Sequence, residues 1–83
     1  MSKFISKEEI FKIIAKSLSI PVKKINEKVS SNNFDEWDSM SHLSILIALD
    51  KKLSGKVQKI QELSEAYSVK RIIQILNKNK LFK

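Results

Sequence analysis

At 83 residues and 9.6 kDa, the chain has room for one domain and one hydrophobic core. Its 42% hydrophobic and 30% charged residues are a globular balance, and the single Gly and single Pro argue against an all-β chain, which needs many tight turns. The absence of Cys excludes disulfides, thiolate metal sites and a thiol nucleophile supplied by the chain itself. The net charge of +7 suits an anionic partner such as nucleic acid. However, fifteen of the sixteen basic residues are Lys, Arg71 is the one Arg, and the lysines are scattered rather than blocked. A solvated basic surface is the simpler reading, since Arg is the usual bidentate reader of phosphate and guanine.

The first predicted element runs from about Ser6 to Ser19. Ser6-Lys7-Glu8-Glu9 has capping-box spacing, with Ile5 and Ile10 placed to form a hydrophobic staple. Ile10, Phe11, Ile13, Ile14 and Leu18 follow at helical spacing, and Pro21 is expected to end the element. From Pro21 to Trp37 the periodicity breaks down. Ser30-Ser31-Asn32-Asn33 has loop composition, yet Val22, Ile25, Val29 and Phe34 are expected to pin this long connection over the core.

A second helix is expected from Asp38-Ser39 to about Leu53, before Gly55. At about 100° per residue, Ile45, Leu46, Leu49 and Leu53 share one side with His42, which reads as a core or half-buried histidine. Met40, Leu43 and Ile47 form a second stripe roughly a third of a turn away. One stripe suffices to pack a helix on a small domain; the second is either covered by the loop and the other helices or exposed for docking. A short helix is expected around Gln61 to Ala66. Ser68 then caps a last helix carrying Val69, Ile72, Ile73 and Leu76 at i, i+3, i+4 and i+7. Asn77 to Lys83 reads as a basic tail that frays unless Leu81 and Phe82 dock. The expected fold is a single all-α domain over 1–83: a small four-helix bundle, three main helices plus one short helix, with a long loop between the first two.

Little in this chain resembles a catalytic apparatus. No paired-His, paired-Cys or EF-hand spacing supports a metal site, and no glycine-rich loop is present to cradle a nucleotide phosphate. Asp35, Glu36 and Asp38 form the one dense carboxylate cluster, and their place before a helix reads as cap and dipole complement. The chain alone is not expected to be an enzyme. The longest apolar run, Ile45 to Leu49, is too short to span a bilayer, and the start, Met1-Ser2-Lys3-Phe4-Ile5-Ser6-Lys7, shows no extended apolar region of the kind a secretory signal needs. A cytoplasmic monomer is the default expectation. With Asp38 as N-cap, Ser39 falls in the first turn, where free amides and positive partial charge favour a phosphate ester. On physics alone, a Ser beside a capping Asp is more often just part of a helix start, and that plainer reading leads.

From Trp37 to Leu53, the run Trp-Asp-Ser-Met-Ser-His-Leu-Ser-Ile-Leu-Ile-Ala-Leu-Asp-Lys-Lys-Leu resembles the Asp-Ser-Leu motif and second helix of acyl carrier proteins. The capped first helix, the long loop and Tyr67-Ser68-Val69 leading into Ile72, Ile73 and Leu76 extend the resemblance from about Phe4 to Leu76. The Trp before Asp-Ser resembles discrete carriers of specialised pathways. The resemblance implies that Ser39 receives 4′-phosphopantetheine from coenzyme A through a phosphopantetheinyl transferase, with Asp38 as the helix cap beside it. The arm's thiol then holds an acyl or aminoacyl cargo as a thioester. It further implies docking of partner enzymes along Met40, Leu43, Ile47 and Asp50: a loading ligase and a downstream acyltransferase or synthase.

The departures bear on partner choice. Met40 replaces the usual Leu, a change that conserves volume, and Glu36 stands where a Gly is common. The second helix offers Ser44, Lys51 and Lys52, with Asp50 as its one acid, where the family usually presents carboxylates; electrostatic complementarity steers partner choice. Two alternatives stay open at this point: a small basic helical module binding nucleic acid or an anionic protein, and a protein-interaction module of the same fold in which Ser39 carries no group.

Overall fold

Capping chemistry delimits the first helix. The computed structural model describes residues 3–83; Met1 and Ser2, the first residues read above for a secretory signal, lie outside them. Helix α1 spans Lys7–Leu18. The Glu9 amide donates to Ser6 Oγ at 3.2 Å and the Ser6 amide donates to Glu9 Oε1 at 3.0 Å, the reciprocal capping box expected from the sequence. Ile5 and Ile10 are both fully buried. At the other end Ser19 takes the left-handed conformation (φ 58°), and the Ile20 amide donates to the Ala15 carbonyl at 3.0 Å, a Schellman closure. Ser19 is therefore the terminator, and Pro21 only follows it.

The connection to the second helix is held by turn chemistry and by four apolar anchors. A 3-10 helix, Val22–Lys24, opens it. Asn26 Oδ1 then accepts from the Lys28 amide at 2.8 Å, and Asn33 bridges the Ser30 amide and the Lys28 carbonyl, each at 2.9 Å. These side chains satisfy backbone groups that lack a helical partner. Ile25, Val29 and Trp37 are buried and Phe34 packs half-buried against them. Val22 does not join the anchors: it is 46% exposed, because the tight turn at 22–24 directs it outward. The segment is strapped to the last helix through a Ser30–Ser68 bridge, with the Val69 amide donating to the Val29 carbonyl at 2.9 Å.

Helix α2 spans Ser39–Lys52 and α3 spans Val69–Lys78. Between them lie two 3-10 helices, Val57–Lys59 and Gln61–Glu65. The described residues thus form three α-helices and no extended strand, an all-α fold. The segment expected as a short helix near 61–66 is a five-residue 3-10 helix, a form typical of pieces too short to repay α-helix nucleation. The Ser68 hydroxyl caps α3, accepting from the Arg71 amide at 3.1 Å. Within α3, Val69, Ile72, Ile75 and Leu76 are buried and Ile73 only half so. Ile75, outside the expected spacing, is thus added to the buried face, while Ile73 packs against its edge.

The C-terminal segment is docked. Leu81 is buried, and Ile5 and Phe82 form a parallel bridge, with the Ile5 amide donating to the Leu81 carbonyl at 2.8 Å and the Lys83 amide to the Ile5 carbonyl at 2.9 Å. Of the two alternatives for this tail, docking prevails, because two apolar side chains and two backbone hydrogen bonds outweigh the entropy of a short end. The core runs from Ile5, Ile10, Ile14 and Leu18 through Ile45, Leu49 and Leu53 to Ile72, Ile75 and Leu76. It fixes which side of α2 is left outward.

Candidate functional site

The start of α2 is held from both sides of Ser39. Asp38 is extended (φ −98°, ψ −173°), and its Oδ1 accepts from the Ser41 amide at 2.9 Å. That hydrogen bond holds its carboxyl below the usual carboxylate range. The Asp38 carbonyl takes the His42 amide at 2.9 Å, the first helical hydrogen bond. Ser39 is the first helical residue and is exposed, so its hydroxyl stands in water at the positive end of the helix dipole. Asp35 and Glu36 are exposed just upstream.

Beneath this surface lies a buried polar relay whose individual residues were visible in the sequence but whose connection was not. Trp37 and His42 are each 2% exposed. The Trp37 indole Nε1 donates to His42 Nδ1 at 3.0 Å, and His42 Nε2 lies 2.8 Å from the Leu63 carbonyl oxygen. Because an indole N–H can only donate, Nδ1 is the acceptor, and the neutral ring carries its proton on Nε2, donated to Leu63. The His42 ring also stacks on Tyr67, with centroids 4.0 Å apart, and on Trp37 at 6.0 Å. Burial pushes the His42 pKa down, partly opposed by the Leu63 carbonyl. The relay ties the end of the long connection, the first turn of α2 and the 61–67 segment to one another. Ser39 is thereby an exposed residue on an anchored frame. His42 is the core histidine expected; the signal for its partner was the donor-only Trp37 just before the cap.

The second stripe of α2 is exposed. Met40 is 80%, Leu43 58% and Ile47 50% accessible, whereas His42, Ile45 and Leu49 on the other side are buried. Beside the stripe, between α2 and residues 57–64, runs a groove of about 670 Å³ lined by Leu43, Leu46, Ile47, Val57, Ile60 and Leu63, with Asp50 and Lys51 among its polar residues. Asp50 borders the expected docking face, but both its oxygens are engaged within the fold. Oδ1 accepts from the Val57 and Gln58 amides at 3.1 and 3.2 Å, and Oδ2 from Gln58 Nε2 at 3.1 Å. It serves as cap for the Val57–Lys59 turn, a role without a local sequence signal because its partners lie seven and eight residues away.

Among the described residues no group of three or more His, Cys, Asp or Glu is placed to hold a metal ion, and no helix is long and apolar enough to cross a membrane. No family model, no curated protein and no solved structure matches the chain.

Proposed function

We propose that the protein is a discrete acyl or aminoacyl carrier, modified on Ser39 Oγ by 4′-phosphopantetheine from coenzyme A and not itself an enzyme. The observation that carries this reading is the pairing of an exposed Ser39 hydroxyl with an exposed apolar stripe, Met40, Leu43 and Ile47, on the same helix. The residues present fit the group. Ser39 offers a solvent-facing nucleophilic oxygen at a helix N-terminus, where a phosphodiester is favoured, and the neighbouring Asp38 carboxylate is turned to the Ser41 amide.

In the modification, Ser39 Oγ forms a bond to phosphorus, the nucleotide half of coenzyme A leaves, and the hydroxyl proton passes to the transferase. The bound arm supplies a thiol for thioester chemistry, which a chain without Cys cannot supply itself. The chain's own residues position and present. Asp38 fixes the turn, Trp37 and His42 hold it against the core, and the stripe offers a docking surface to a phosphopantetheinyl transferase, a loading ligase and an acyltransferase or synthase. In this reading Gln61–Glu65 stands for the short member of a four-helix bundle, and the protein works in the cytoplasm as a monomer.

The test is incubation with coenzyme A, magnesium and a broad-specificity phosphopantetheinyl transferase, followed by intact mass. A pantetheine-sized increment that is lost in Ser39→Ala supports the reading. Failure to modify material that also comes bare from its native host refutes it.

A further inference from the structure

Ile47 and Lys51 are four residues apart on α2, about one turn, and form a ridge between two hollows. On one side is the apolar groove described above. On the other, between α1 and α2, is a hollow of about 510 Å³ lined by Lys16, Ser17, Ser44 and Ala48 together with the same Ile47 and Lys51. One side of the ridge thus offers aliphatic surface, and the other two ammonium groups and two hydroxyls.

Those two lysines lack acidic partners. The ion pairs among the described residues are Lys7 with Glu27, Lys52 with Glu9, and Arg71 and Lys78 with Glu62; Lys16 and Lys51 are exposed and belong to none. Asp50 lines the apolar groove, where Val57 and Gln58 hold its carboxylate, and no acid lines the Lys16–Lys51 hollow. An exposed apolar strip bordered by lysines without ion-pair partners defines the chemistry of what covers it. A nucleic-acid backbone would neutralise the lysines but leave Leu43 and Ile47 against water, whereas a protein surface can answer both.

We propose that this ridge docks a partner protein that presents an apolar side chain flanked by carboxylates. The apolar group enters the Leu43–Ile60 groove and a carboxylate sits in the Lys16–Lys51 hollow. This inference rests on the carrier reading of α2 as the docking helix and adds the sign of the partner's charge. Complementary charges at such a rim raise association rates and exclude partners of the wrong sign, so binding weakens as salt rises.

The test uses the unmodified full chain, labelled with nitrogen-15, and two helical peptides with an identical Leu/Met face, one flanked by Glu and the other by Lys. The Glu peptide is expected to bind about tenfold tighter or better, the order of a steered, complementary rim, with amide shifts centred on Lys16, Ser44, Ile47 and Lys51. The double variant Lys16→Glu/Lys51→Glu, checked for retained helicity, is expected to reverse the preference. Equal affinity for both peptides, a preference that survives the double reversal, or tighter binding of a short DNA duplex at the same residues would overturn the inference. Because no prosthetic group is involved, the result is separable from the carrier reading. A chain modified at Ser39 that shows no preference sinks only this inference; a Glu preference on a chain found bare in its native host sinks the carrier reading and leaves the surface standing.

Discussion

Helices α2 and α3 use similar aliphatic residues to opposite ends. In α3, Val69, Ile72, Ile75 and Leu76 turn inward, while Lys70, Arg71 and Gln74 face water, so the apolar residues are consumed by packing. In α2, Ile45 and Leu49 join the core with His42, yet Met40, Leu43 and Ile47 remain outside. A helix that exists only to complete a core has no need of the second set, and exposing it carries a solubility cost. The comparison separates residues that stabilise the fold from residues available to a partner, and it does so within a single chain.

The widest gap is expected in stability. Ile75→Ala removes a fully packed side chain and should cost about 2–5 kcal/mol. Ile47→Ala, on the exposed stripe, should stay within about 0.5 kcal/mol. Urea unfolding of the two variants measures both; a large loss at Ile47 would mean that the stripe is structural and would undo the distinction.

A smaller effect is expected from the relay under Ser39. His42 is held neutral, with its pKa below the ordinary 6.5, so the unfolded chain takes up the proton first as the pH falls. Stability is therefore fully present above that value and declines below it, with a slope of at most about 1.4 kcal/mol per pH unit. His42→Phe keeps a ring for Tyr67 to stack on but leaves the Trp37 N–H and the Leu63 carbonyl without their partner. It should lower stability at neutral pH by about 1–3 kcal/mol and flatten the slope below 6.5. Trp37 fluorescence against urea at several pH values reads both effects, and an unchanged slope in the variant would remove His42 from the account.

The smallest effect lies at the far end of α2. Glu9 is paired with Lys52, and with help from the Ser6 cap its pKa is drawn down to about 2. The stability it contributes is present above 4.5, its ordinary value, and is lost as the pH falls toward 2. Both side chains remain partly exposed, so screening keeps the pair's own share small and the loss in Glu9→Gln to about 1 kcal/mol or less. Thermal unfolding at pH 7 and pH 3 should show the difference between variant and parent shrinking in acid.

What was legible in the sequence was what local chemistry decides. Ser6 with Glu9, Asp38 and Ser68 mark the starts of all three helices because an N-cap acts over three residues. The division of α2 into two stripes was legible because helical geometry is fixed, whereas which outcome held for the second stripe, cover or exposure, was not. Tertiary contacts decided the rest. Ile75 joins the buried face beside a half-buried Ile73, because the last helix meets the docked tail and the connection, neither of which periodicity can place. The cap that Asp50 supplies was not legible, because its partners, Val57 and Gln58, come close only after the chain turns at Ser54 and Gly55. In the Trp37–His42–Leu63 relay, the His42–Leu63 link spans 21 positions, beyond the reach of any pattern along the chain.

The claim on which the functional account turns is that Ser39 is a tethering point. The most direct measurement is the intact mass of this protein isolated from its own cell, beside a Ser39→Ala version made in the same cell. The account predicts that the parent carries a phosphopantetheine-sized addition on Ser39, with hydroxylamine-labile cargo where loaded, and that the variant is bare and equally stable. A parent without any addition, in the presence of its cognate transferase, would contradict it.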